Sequence, residues 1–419
     1  MDKYVIEGGK PLKGRIQTMR SKNATLPILA AALLPKSGTT TINHVPELRD
    51  IDIMLRVLRE LGAEVSWDRA AKSVKINAAN LNKEEAPYDL VSKMRASFLV
   101  LGSLISRLGR ARVSLPGGCS LGQRPVNLHL KGFAQLGVTI SEESGYVIAS
   151  GSVKGGEVYF DRPSHTGTEN IMIGAAISKG VTRIINAACD PEVIDVANFL
   201  NKMGADIQGA GTTVITIQGV DSLQPTTYEP MADRLESGTF LCMAAGTGGE
   251  LTVDDAIADD LELVLLKLRE MGCELDVNGR AVTIRSDGRL RATDFVTFPY
   301  PGFPTDLQAC FVALSAQAQG ISHMRETVFD DRFSHCMELM RLGAKITIHG
   351  DVATIEGVQR LNGATVMASD IRAGAGLVTA CLIAEGTSEV RRIYHIERGY
   401  DALDDRLRSV GAVIQKVPE

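Results

Sequence analysis

The stretch IDIMLRVLRELGAEV, residues 51–65, holds a helix, its stop and the start of a strand. Ile51, Met54, Leu55, Leu58 and Leu61 fall on one face at helical spacing, the pattern of a helix laid against a core. Gly62 follows the last turn, where the backbone turns left-handed at little cost only if no side chain is present. A β-type run begins directly after it.

The signature returns as LGVTI at Leu136, MGADI at Met203, MGCEL at Met271, LGAKI at Leu342 and VGAVI at Val410. Its glycines (Gly62, Gly137, Gly204, Gly272, Gly343 and Gly411) repeat every 67 to 75 residues. A second landmark keeps the same beat. Helices rich in alanine and glycine, such as GTENIMIGAAISKGVTRII and DIRAGAGLVTACLIAEGTSEV, run into β-rich segments. Gly38, Gly109, Gly180, Gly249, Gly320 and Gly386 mark their ends. Small side chains let helices approach closely, so these are expected to be buried. The unit is a buried helix, a strand, a loop, an amphipathic helix and one or two strands. Units this long and this few do not make a solenoid. Two α/β domains of three units each fit the length.

The 419 residues, 44% hydrophobic and 23% charged, suit a soluble globular protein with a sizeable core. A net charge of −5 gives no reason to expect nucleic acid or an anionic membrane as partner. The N-terminus MDKYVIEGGKPLKG has no apolar signal core, and apolar runs such as Pro27–Leu34 are too short to span a bilayer. Seven cysteines without a CxxC pair argue against a disulfide framework and a structural zinc site. A cytoplasmic location is expected.

Polar residues gather at one place in the units. Lys22, Asn23, Arg95, Glu236, Asp306 and Arg372 stand near the starts of small-residue helices. Arg124, Glu192, Arg332 and Arg398 stand near the starts of amphipathic ones. A helix start already carries partial positive charge, so adding arginines there suits a bound anion better than the helix itself. Taken singly, Asp306 in FPTD reads as a capping residue and each arginine as a solvated charge. Their recurrence favours a site. TMRSKNATLP lacks the spacing of a nucleoside-triphosphate loop.

SLPGGCSLGQRPVNLH, from Ser114, places Cys119 after two glycines and before Arg124. Neighbouring cations favour a thiolate, lowering a thiol from about 8.5. Gly117, Gly118 and Gly122 suit a loop that closes and excludes water. Cys242, Cys310, Cys336 and Cys381, set in apolar helical runs, read instead as small buried hydrophobes.

With these motifs the chain resembles the enolpyruvyl transferases, in the branch acting on UDP-N-acetylglucosamine. The resemblance runs from end to end: SKNA at Ser21, APYDLVSKMRAS at Ala86, SLPGGCSLGQRPVNLH, DPEVIDVANFL at Asp190, ADRLESGTF at Ala232, PGFPTDLQA at Pro301, ETVFDDRFSH at Glu326, DIRAGAGL at Asp370 and YHIERGYD at Tyr394. It implies an inside-out α/β barrel of two domains, each of three repeated units with buried helices and outer sheets. One domain would span residues 22–231; the other would join 1–21 to 232–419. The active cleft would lie between them, with Cys119 on a lid.

The implied reaction moves the enolpyruvyl group of phosphoenolpyruvate to the 3′-hydroxyl of UDP-N-acetylglucosamine and releases phosphate, without metal or cofactor. It would open peptidoglycan precursor synthesis, and with it cell-wall biogenesis, cell shape and division. Lys22, Arg124 and Arg398 would hold phosphoenolpyruvate, with Arg95, Arg332 and Arg372 lining the same cationic cleft. Asp306 would take the hydroxyl proton. Cys119 would either add covalently to phosphoenolpyruvate or serve proton transfer. Asn23, Arg95, Arg124, Asn127, Ser164, His165, Thr166, Asp233, Asp306 and Val328 would face the nucleotide sugar, and Glu236 is a further candidate acid. No macromolecular partner is implied, and a monomer or weak homo-oligomer is expected.

Three places depart from the family pattern. Arg20 stands where glycine is usual, SHTGT (Ser164–Thr168) replaces SVGAT, and Asn127 replaces an aspartate. All lie on or near the acceptor side. A paralogue with another nucleotide or nucleotide-sugar acceptor, or a non-catalytic nucleotide-sugar sensor, would be the alternatives.

Overall fold

The computed structural model describes residues 2–115 and 126–419. The six repeats are present. Small-residue helices span Lys22–Ala31, Val100–Leu108, His165–Ala175, Arg234–Thr247, Gln308–Ser315 and Ile371–Ile383. Amphipathic helices span Arg49–Glu60, Asn127–Gln135, Pro191–Lys202, Glu262–Glu270, Ser334–Arg341 and Leu403–Ser409. Two of the small-residue helices are entered through a 3₁₀ turn, Arg95–Leu99 and Thr305–Leu307.

The helix that opened the sequence reading behaves as its spacing requires. Ile51, Met54, Leu55, Leu58 and Leu61 are fully buried. Gly62 follows at φ 103°, and the other five glycines of that series also have positive φ. In the second series only Gly109 caps its helix; Gly38, Gly180, Gly320 and Gly386 keep a positive φ but follow helices capped by Ala32, Ala176, Ala316 and Ala384. The helix Arg234–Thr247 ends at Gly248, φ 69°, and not at Gly249. A Cβ on Gly249 would fall 2.1 Å from the Leu12 carbonyl oxygen, so that glycine serves a close backbone approach.

The chain forms two compact units, one of residues 2–19 and 232–419, the other of 20–115 and 126–231. In each, three small-residue helices pack together inside, and three four-stranded sheets flank them. The fold is the inside-out α/β barrel. Small residues make the helix contact close: a Cβ at Gly376 would come within 2.7 Å of the Ala309 backbone.

One rule orders five of the six sheets, and in the sixth a strand from residues 2–7 takes the place of the hairpin's second strand. The strand after the buried helix pairs in parallel with a short edge strand on one side. On the other it meets, antiparallel, the second strand of the hairpin that follows the amphipathic helix. Chain ends complete the pattern. Thr227–Tyr228 supplies the parallel edge for Thr40–Ile42. Lys13–Gln17 does so for Glu250–Asp254. Asp2–Glu7 lies between Thr387–Arg391 and Val413–Pro418, antiparallel to both. Residues 2–17 therefore fill strand positions that the 232–419 segment leaves open.

Candidate active site

In the unit built from residues 232–419, the centre is Asp306. The 3₁₀ turn Thr305–Leu307 presents its carboxylate to two arginines. Arg332 Nη2 donates to Oδ1 at 2.7 Å and Arg372 Nε to Oδ2 at 3.1 Å. Both guanidiniums have side chains only 6% exposed, against 26% for Asp306. Asp306 is not the helix cap that its local sequence suggests: Pro304 occupies that place without a side-chain bond. The two arginines hold both oxygens of the one carboxylate.

Arg372 sits in the first turn of Ile371–Ile383, whose cap Asp370 accepts from the Arg372 and Ala373 amides at 2.9 and 3.0 Å. Its Nη1 also donates to the Tyr400 hydroxyl at 3.1 Å, and that hydroxyl meets Thr239 Oγ1 at 2.9 Å. Burial pulls the Arg372 guanidinium down, but Tyr400, Asp306 and Asp233 together hold it above its ordinary value. Asp233 caps the neighbouring helix, accepting from Leu235 and Glu236 amides at 3.0 Å. Val328 lies on the loop before Ser334–Arg341 and is half-buried. Arg398 closes the 3₁₀ turn Ile393–Arg398, also half-buried.

Glu236 reads differently in the structure. It is fully buried, accepts from the Met19 amide at 2.8 Å and pairs with Arg406 through both oxygens, one at 3.0 Å from Nη2. That carboxylate has structural work to do, which removes the reason to offer it as a catalytic acid.

In the other unit, Ser21 caps Lys22–Ala31, and Lys22 Nζ lies 3.4 Å from Asp50 Oδ2, both buried. Asn23 is next on that helix and half-buried. Arg95 opens the 3₁₀ turn Arg95–Leu99, and its charge reaches buried His129. Burial first, then Arg95, pulls the His129 imidazole down to about 3. The ring is therefore neutral. Asn170 Nδ2 donates to its Nδ1 at 3.0 Å, which leaves the proton on Nε2 to donate to Thr166 Oγ1 at 3.2 Å.

Ser164 caps His165–Ala175. His165 Nε2 lies 3.1 Å from Glu169 Oε1, one turn on. Burial pulls this imidazole down, but Glu169, with Asp190 and Glu192, outweighs it and pushes the group up to about 10. Asn127 is exposed at the start of Asn127–Gln135. Cys119 and Arg124, with the glycines of their loop, lie outside the described residues.

The structure thus brings Asp306, Arg332 and Arg372 into direct contact, with Asp233 within electrostatic reach, and joins Thr166 to Arg95 through His129. Sequence reasoning missed Asp50, Tyr400, Thr305 and Glu169 as partners of these groups. Asp50 and Tyr400 stand at or near amphipathic-helix starts, the same positions that flagged the cations. Buried Cys242, Cys310, Cys336 and Cys381 are packing residues, as their apolar surroundings imply.

Acids and cations displayed at helix starts of a six-fold repeated α/β chain define a class. The chain belongs to the EPSP synthase (3-phosphoshikimate 1-carboxyvinyltransferase) family of enolpyruvyl transferases, which it matches over residues 6–407. Within it, the UDP-N-acetylglucosamine 1-carboxyvinyltransferase of Desulfosudis oleivorans is 49% identical over 100% of both chains. UDP-N-acetylglucosamine 1-carboxyvinyltransferase 2 of Carboxydothermus hydrogenoformans is 50% identical, again over 100% of both. Among solved structures, the enolpyruvyl transferase NikO from Streptomyces tendae superposes with a TM-score of 0.88 at 26% identity, covering 100% of this chain and 99% of its own. EPSP synthase from Acinetobacter baumannii shares the fold, with a TM-score of 0.75, 18% identity and full coverage of both chains.

Proposed function

We propose that this chain transfers the enolpyruvyl group of phosphoenolpyruvate to the 3′-hydroxyl of UDP-N-acetylglucosamine, releasing phosphate, at the entry to peptidoglycan precursor synthesis. The observation that carries the reading is the carboxylate of Asp306 between Arg332 and Arg372, in a chain about half identical, end to end, to enzymes of that name.

The reaction asks for three things. A hydroxyl must lose its proton, its oxygen must bond to the central carbon of the enolpyruvyl group, and the bond from that carbon to phosphate oxygen must break. Asp306 serves as the base, a role for which its partial exposure and its fixed orientation suit it. Lys22, Arg124 and Arg398 hold the phosphate and carboxylate of phosphoenolpyruvate, the groups for which Lys and Arg make charge-assisted bonds. Arg95, Arg332 and Arg372 add cationic charge, the last two while orienting Asp306. Cys119 serves as nucleophile or proton carrier. Asn23, Asn127, Ser164, His165, Thr166, Asp233 and Val328 contact the nucleotide sugar. The two compact units act as the two domains of the transferase, in the cytoplasm, as a monomer or weak homo-oligomer.

A different acceptor has one observation in its favour. His165, at a place where the family pattern has an apolar residue, is held by Glu169 near Asp190 and Glu192, and so brings charge to the acceptor side. Turnover across a panel of uridine nucleotides and nucleotide sugars decides between the two. The main reading expects UDP-N-acetylglucosamine to lead by at least tenfold in kcat/KM, about 1.4 kcal/mol. A better acceptor in the panel would replace it.

A further inference from the structure

Glu326 begins the loop that carries Val328 and leads to Arg332. Its side chain is buried, 3% exposed, and four donors converge on it. Thr297 Oγ1 at 2.8 Å, the Val328 amide at 2.9 Å and the Phe329 amide at 3.2 Å all donate to Oε1. Thr305 Oγ1 donates to Oε2 at 2.8 Å. A buried carboxylate is costly unless it is hydrogen-bonded, and this one accepts three bonds on Oε1 and one on Oε2.

The direction of the Thr305 bond matters. A hydroxyl has one proton, and the Glu326 anion takes it. The lone pairs of Thr305 are then turned to Arg332, whose Nη1 donates to them at 2.7 Å. The other end of that guanidinium reaches Asp306 at 2.7 Å. Glu326 thus fixes the polarity of a relay from Thr305 through Arg332 to Asp306. With its other oxygen it fixes the backbone at Val328.

We propose that Glu326 is a positioning residue that ties the acceptor-side turn at Val328 to the geometry of the base Asp306. The inference rests on the reading of Asp306 as base and Val328 as an acceptor contact. Neutralising Glu326 acts on both turns, whereas removing the Thr305 hydroxyl acts on the base alone.

The test is steady-state kinetics of Glu326→Gln, Thr305→Val and Thr305→Ser beside the unaltered enzyme, varying each substrate in turn. Glu326→Gln should lower kcat roughly 10- to 100-fold, the cost of a misplaced catalytic group, and raise the acceptor KM several-fold. The KM for phosphoenolpyruvate, carried by Lys22, Arg124 and Arg398, should move less than twofold. Thr305→Val should lower kcat comparably while the acceptor KM stays near that of the unaltered enzyme. Thr305→Ser, which keeps the hydroxyl, should restore kcat to within a few-fold. Should Glu326→Gln fail to fold, Glu326→Asp, which keeps the charge but draws it back from both turns, takes its place and should show the same lowered kcat and raised acceptor KM. Unchanged kcat in Thr305→Val, failure of serine to rescue it, or a Glu326→Gln effect that scales both KM values alike would overturn the inference. An unaltered enzyme with no turnover on UDP-N-acetylglucosamine would instead overturn the functional reading beneath it.

Discussion

Arg332 holds Asp306 by a 2.7 Å charge-assisted bond while its own side chain stays 6% exposed. A guanidinium so enclosed has little freedom to leave its partner, so the carboxylate is oriented before any substrate arrives. Preorganisation of this kind lowers the barrier because no reorientation is needed during reaction.

Asp306→Asn keeps the shape of the side chain and removes its charge and basicity. Phosphate release should fall about 10²- to 10⁴-fold, the usual contribution of a positioned base. Binding of phosphoenolpyruvate, measured by calorimetry, should persist. Turnover within tenfold of the unaltered enzyme would remove Asp306 from the base role.

Much of the fold was legible because glycine acts locally. Gly62, Gly137, Gly204, Gly272, Gly343 and Gly411 all adopt the positive φ that their place after an amphipathic helix requires. The parallel edge strands were not legible. Glu85–Ala86 and Phe295–Val296 have two residues each, too few to show a period of two. Gly248 and Gly249 are adjacent, and only the Leu12 backbone packed against the second tells their roles apart. At the site, the charged residues at helix starts were legible and their partners were not. Arg406 and Glu236 stand 170 positions apart, and no spacing rule joins residues so distant. The charge that singled out Glu236 belongs to that pair.

Arg406→Met strands the Glu236 carboxylate in the core with the Met19 amide as its remaining bond. Losing one partner of a buried pair costs about 3 kcal/mol, which urea unfolding should register as a lower midpoint. The double variant Arg406→Met with Glu236→Gln should recover part of that loss, since the unpaired charge is gone.

The neutral His129 makes stability depend on pH. Its folded value, about 3, lies below the ordinary value of about 6.5. The unfolded chain therefore binds the extra proton between those limits, and this part of the stability is lost as pH falls through that window. The unaltered protein should lose about 2 kcal/mol more than His129→Gln between pH 7 and pH 5. Equal losses in denaturant titrations at the two pH values would mean that His129 titrates normally.

Gly204→Ala and Gly62→Ala separate backbone strain from crowding. Gly204, φ 105°, has nothing within 4 Å of an added Cβ, so alanine should cost roughly 1–2 kcal/mol from the left-handed backbone alone. At Gly62 the Cβ would meet the Asn80 carbonyl oxygen at 2.7 Å, so the loss should be larger by roughly 1 kcal/mol or more. Thermal unfolding of the two variants side by side gives the order.

The most direct test of the whole account is phosphate release from phosphoenolpyruvate with and without UDP-N-acetylglucosamine, with the nucleotide-sugar product weighed by mass spectrometry. The account predicts release that depends on the acceptor, together with a product that has gained one enolpyruvyl group. Phosphoenolpyruvate that binds without releasing phosphate, or phosphate released while the nucleotide sugar keeps its mass, would contradict it.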